Sequence, residues 1–265
     1  MSPGSDSSIE LLNPAYVPII TATSTSYGGS QMWFTSKNWF SKEYLIHNYG
    51  CHTIAASDLL LYLSLRSRSL RSPITDLALQ GSDTIYDDNY KMYVHEIYQK
   101  YTKTLRYFPI PGPKLALAIN TYADTFHIGY KAYWKWTLSY YDMYERMDEM
   151  LFYDIPIILS IGPNTPNLWG KKGITFYQRY EVSSQSPPKD PASQEKQYRY
   201  QPVIGGVHGH YITVTGMIKD PIARNIMLRI SSWGKQYYMN YEEYREYIEE
   251  TGGTFTSSIV YIRTE

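Results

Sequence analysis

Apolar residues leave almost no polar face between Cys51 and about Ser64, where Ile54, Ala55, Leu59, Leu61 and Leu63 fill a predicted helix. A helix that is apolar on all sides belongs at the centre of a fold. The basic, serine-rich stretch Arg66–Ser72 and then Pro73 end it. Helical spacing returns at Asp87–Lys103 through Tyr90, Val94, Ile97 and Tyr101, and at Lys114–Phe126 through Leu115, Ile119 and Tyr122. Ser139–Leu151 reads as a further helix, with Asp142, Glu145, Asp148 and Glu149 turned outward.

Beyond that point the pattern changes. Ile155–Ile161 is a short apolar run of the kind that forms a buried strand. Strands are predicted at Ile174–Tyr180, His210–Met217, Ile226–Ser231, Gln236–Met239 and Ser258–Ile262, with a helix at Tyr241–Glu250 between them. Residues 183–201 are polar and contain prolines, which predicts a mobile loop. Residues 1–30, rich in Ser, Thr, Pro and Gly, read as an extended or flexible lead-in. The expected class is α+β: a single domain over 31–265, with a helical lobe at about 31–152 and an antiparallel β lobe at about 153–265.

Composition narrows the partners. The chain has 265 residues, enough for a substantial core, and its 25 basic and 25 acidic residues cancel. That balance gives no reason to expect a nucleic-acid partner. No stretch approaches the roughly 20 apolar residues of a membrane span. Met1–Tyr27 lacks the basic and apolar regions of a secretory leader, so a cytoplasmic location is expected. The single cysteine excludes an internal disulfide framework and suits a reducing compartment. The 29 tyrosines suit tyrosine-rich core edges, or a stacking surface.

That one cysteine sits at the predicted start of the apolar helix. Gly50-Cys51 places the thiol at a helix N-terminus, where unpaired N–H groups and the helix dipole favour a thiolate. The plainer reading is a small buried hydrophobe. Far downstream, His210 opens an alternating strand in which it shares a face with Ile212 and Val214. His208, two residues earlier, is the rival base, and the His-x-His pair is a fragment of a metal site. No compact ligand spacing completes it, so no metal and no cofactor is expected. Ser231, in Ser231-Ser232-Trp233-Gly234, is the candidate to orient the imidazole, or else simply ends its strand. Asn48 is the nearest side-chain donor for an oxyanion hole, beside the backbone N–H of Cys51, or else a turn residue. Gln31 is a second donor that its sequence position alone does not locate.

Tyr49-Gly50-Cys51 with its Ala-containing helix, Gly209-His210-Tyr211 at a strand start and Ser231-Ser232-Trp233-Gly234 together resemble the papain-like cysteine peptidases. The nearer likeness is to the bacterial branch that includes the double-glycine leader peptidases. The matching elements cover roughly 51–65 and 150–250. The resemblance implies a papain-like two-lobed fold and attack on an amide carbonyl through a covalent thioester. It makes Cys51 the nucleophile and His210 the base, and it puts Ser231 where the family has Asn or Asp. The chain departs from the pattern at His52, which replaces a glycine, at Leu45, which stands where the family has its oxyanion glutamine, and at Ser231.

The expected function is a cysteine-dependent hydrolase that cleaves a peptide or isopeptide bond in a peptide or protein substrate. Leu45 and Ser231 favour an alternative, a papain-like peptide-binding domain with weakened catalysis. An amidase or acyltransferase on the same scaffold is the third reading.

Overall fold

The structure, a computed structural model, describes residues 8–104, 109–136, 140–162, 170, 172–182, 197–220, 225–252 and 256–264. In chain order the elements are strands β1 (Ile9–Glu10), β2 (Pro18–Ile20) and β3 (Thr25–Tyr27), then helices α1 (Lys42–Tyr49), α2 (Cys51–Arg66) and α3 (Thr75–Leu79). Next come strand β4 (Ile85–Tyr86), helices α4 (Asp87–Ile97) and α5 (Gly112–Thr125), strand β5 (Tyr130–Trp136), helix α6 (Tyr140–Phe152) and strand β6 (Ile157–Ile161). The chain continues through strands β7 (Ile174–Val182), β8 (Gln197–Val207), β9 (His210–Asp220), β10 (Asn225–Ser232) and β11 (Lys235–Asn240), helix α7 (Tyr241–Glu250) and strand β12 (Ser258–Thr264). The class is mixed α+β, and the sheet that dominates it is antiparallel.

That sheet runs in the order β5-β12-β6-β9-β10-β11-β7-β8. β9 is its pivot. One edge of β9 pairs with β10; the other is divided between β6, opposite His210–Val214, and β1, opposite Gly216–Met217. Both faces of β9 are covered, so Tyr211, Thr213 and Thr215 are buried along with Ile212 and Val214. A smaller sheet joins β3, β2 and β4.

α2 is the hub of the helices. Every residue from Cys51 to Ser64 is buried, as its lack of a polar face predicts. It packs on β9 and β6 and against α1, α3, α4 and α5. Tyr93 and Tyr90 of α4 are wholly buried, and their hydroxyls are satisfied by the Ser57 carbonyl at 2.9 Å and by the Asp58 carboxylate at 2.7 Å. In both, the ring packs in the core and the hydroxyl is paired.

Two sequence expectations change. Residues 8–30 are extended, with β1, β2 and β3 among them, but they are not a separate lead-in: Leu11, Tyr16, Val17 and Ile19 are buried, and β1 is part of the large sheet. Polar composition there hides one apolar residue at each point of contact. Gln31–His47 holds a helical turn at Gln31–Trp33 and most of α1, whose N-cap Ser41 accepts from the Tyr44 N–H. The predicted loop at 183–201 is β8 from Gln197 onward; residues 183–196 lie outside the described residues. Among the described residues no helix is long and apolar enough to cross a membrane.

Candidate active site

The cysteine is placed by a glycine. Gly50 ends α1, donating its N–H to the Ile46 carbonyl at 2.9 Å, and is at once the residue that starts α2. A β-carbon there would lie 2.5 Å from the Ile46 carbonyl oxygen, so a side chain would separate the helices. Gly50 also brings no side chain to cap α2. Cys51 is 7% exposed. Burial pushes its thiol up to about 11, against the opposing effect of backbone hydrogen bonds from Tyr211, His52 and Cys51 itself. The expectation of a ready thiolate is thus corrected: at neutral pH the resting group is a thiol, because desolvation outweighs the helix terminus.

His210 opens β9 opposite Ile161. Burial lowers its pKa to about 3, so the imidazole is neutral. Its Nε2 meets the Ser232 hydroxyl at 2.8 Å, and the Trp233 ring stacks on it with centroids 4.5 Å apart. The Ser231 hydroxyl instead donates to the Tyr27 carbonyl at 2.8 Å. The residue that holds the imidazole is therefore Ser232, not Ser231. A bulge decides this. β10 pairs Arg229 with Gly216 but Ile230 with Val214, skipping Thr215, so Ser231 falls opposite Thr213 on the face that His210 does not use.

Asn48 is not an oxyanion donor in this geometry. It is exposed, and its Nδ2 donates to the Tyr44 carbonyl at 2.8 Å, one turn back along α1. Leu45 packs against the core. The side-chain amide that lines the cysteine's cavity is that of Gln31, whose turn follows the loop after β3. Gln31 Nε2 donates to the His47 carbonyl at 2.8 Å, which fixes the amide and leaves its second N–H uncommitted. His208 is exposed and does not line the cysteine's cavity. His52 points away from the cavity's chemistry, with Nε2 at 2.8 Å from the Thr102 carbonyl.

Cys51, His210, Gln31, Ser232, Trp233 and Asp58 line one cavity of about 10 Å³, room for roughly one water. No hydrogen bond joins the Cys51 thiol to His210, so the two sit as separate neutral groups. The arrangement brings a thiol, an imidazole whose ring is held by a hydroxyl, and a side-chain amide to one small cavity. Ser232 and Gln31 were the residues that sequence spacing did not locate. Asp58 carried one sequence signal, a lone carboxylate two turns after Cys51 in an apolar helix.

Among the described residues no group of three or more His, Cys, Asp or Glu side chains converges as a metal site requires. Comparisons with protein-family models, with curated proteins and with solved structures return no match.

Proposed function

We propose that this chain is a papain-like thiol hydrolase that opens a peptide or isopeptide bond through a thioester on Cys51. The observation that carries the reading is the meeting of Cys51 and His210 in one cavity, from opposite halves of the chain, with a hydroxyl on the imidazole and a tryptophan over it. In this reading α2 belongs to the helical lobe and β9 to the β lobe.

The Cys51 proton passes to His210 as sulfur attacks the carbonyl carbon, and the oxygen that becomes negative is held by the Gln31 amide and the Cys51 backbone N–H. The imidazolium then gives its proton to the leaving nitrogen, which departs as an amine and leaves a thioester. Water, deprotonated by His210, attacks the thioester and releases the carboxylic acid and the thiol. Ser232 accepts from the ring N–H and keeps the other nitrogen turned to sulfur.

The test is capture of a peptide aldehyde or chloromethyl ketone, read by intact mass. Adduct formation at Cys51 that is lost in Cys51→Ser and His210→Ala but kept in His208→Ala supports the hydrolase. The high thiol pKa and the missing Cys51–His210 hydrogen bond favour a second reading, a peptide-binding domain without turnover. Peptide binding with no adduct in any form would establish it.

A further inference from the structure

We propose that Asp58 is a positioning residue that fastens the Tyr27–Gln31 loop to the cysteine helix and so holds Gln31 at the cavity. This rests on the hydrolase reading for what Gln31 does there. Asp58 lies seven residues after Cys51, which puts it on the same face of α2, about 10 Å along the axis. It is 2% exposed, and it is the one carboxylate of α2. The phenols of Tyr16, Tyr90 and Tyr93 lie around it, Cys51 and His210 line the same cavity, and none of these is a cation at neutral pH. A carboxyl group in such a place costs stability unless its oxygens are used.

Both oxygens are used. Oδ1 accepts from the Tyr90 hydroxyl at 2.7 Å, and Oδ2 accepts from the Gly29 N–H at 2.9 Å. The loop is shaped for this approach. A β-carbon at Gly28 would meet Asp58 Oδ2 and the Ser231 hydroxyl, and one at Gly29 would meet the Tyr90 ring and hydroxyl. The loop is also fastened by the Tyr27 N–H to the Gly234 carbonyl, the Gly28 N–H to the Val17 carbonyl, the Ser231 hydroxyl to the Tyr27 carbonyl and the Tyr27 hydroxyl to that of Thr215, while Gln31 itself is tied to α1 through the His47 carbonyl. Asp58 is thus the link from this loop to α2, and Gln31 stands two residues beyond the bond it makes.

The full chain is compared with Asp58→Ala, Asp58→Asn, Gly29→Ala, Gln31→Ala and the double variant Asp58→Ala/Gln31→Ala. Two quantities are read. One is hydrogen exchange of the Gly29–Gln31 amides. The other is affinity for a peptide aldehyde, whose thiohemiacetal carries the oxygen that Gln31 would hold. Iodoacetamide alkylation, which forms no such oxygen, is the reference. Asp58→Ala is expected to speed exchange in the loop by about tenfold. It should weaken aldehyde capture as far as Gln31→Ala does, by about a hundredfold, with alkylation no slower than in wild type. The double variant should be no weaker than Gln31→Ala. Asp58→Asn keeps an acceptor for the Gly29 N–H and should behave as wild type. Should Asp58→Ala fail to fold, Gly29→Ala carries the same expectation by driving the loop from Tyr90. Unchanged loop exchange, equal loss of capture and alkylation, or additive loss in the double variant would overturn the proposal. If wild type captures no aldehyde while Asp58→Ala still loosens the loop, the hydrolase reading fails and the fastening stands.

Discussion

Trp233 lies flat on the imidazole of His210, with ring centroids 4.5 Å apart and ring planes 16° apart. It does so from a left-handed backbone, φ 50°, as the first residue of the two-residue turn between β10 and β11; Gly234, at φ 76°, is the second. That turn suits Asn-Gly, and a bulky side chain there costs about 1 kcal/mol. The strain is held at the place where a ring is needed to shield the histidine.

Trp233→Asn relieves the backbone and removes the shield. His210 should then titrate above its wild-type value of about 3, toward the ordinary 6.5, in a proton NMR titration of the ring. An unchanged titration would mean that other groups keep water from the imidazole.

The two serines should separate cleanly. Ser232→Ala removes the partner of His210 Nε2 and should change the ring's tautomer signals in nitrogen NMR. Ser231→Ala should leave those signals alone and lower stability by about 1 kcal/mol, since the Tyr27 carbonyl loses its donor. The reverse pattern would return the orienting role to Ser231.

Cys51 should be slow toward small reagents. With the thiol pushed up to about 11 by burial, iodoacetamide at pH 7.5 should label it more slowly than it labels glutathione. A faster rate than glutathione would mean that the cavity opens readily and the thiolate forms there.

Two buried groups should tilt stability with pH in opposite directions. His210, depressed to about 3, contributes stability that is fully present above about 6.5 and is lost as pH falls toward 3. Asp58, raised to about 7, contributes stability that is present below its ordinary 3.8 and is lost as pH rises through 7. Melting temperatures should show His210→Phe gaining on wild type as pH is lowered, and Asp58→Asn gaining as pH is raised from 5 to 8. A constant difference from wild type in either series would remove that residue from the account.

The sequence made the hub of this fold legible and left the site half-read. α2 announces itself because Cys51–Ser64 leaves little polar face, and β9 because alternation survives from His210 onward. α1 escapes because its residues separate poorly into faces and only Ile46 is buried. β8 escapes because Pro202, Gly205 and Gly206 interrupt the pattern that marks a strand. The choice between Ser231 and Ser232 turned on the skipped Thr215, and one extra residue on a strand reverses every face beyond it. Gln31 reaches the cavity through tertiary contacts of its loop, which local spacing does not encode.

The division of β9's free edge between β6 and β1 bears on how the chain reaches this state. β1 can join only after β9 exists, and the Glu10–Arg229 ion pair at 3.0 Å spans 219 positions of sequence. During synthesis the first strand must therefore wait unpaired while nearly all the rest of the chain emerges. Loop closure of that length delays completion of the sheet to the end of folding. Until then the Gly216–Met217 stretch of β9 is an unpaired edge.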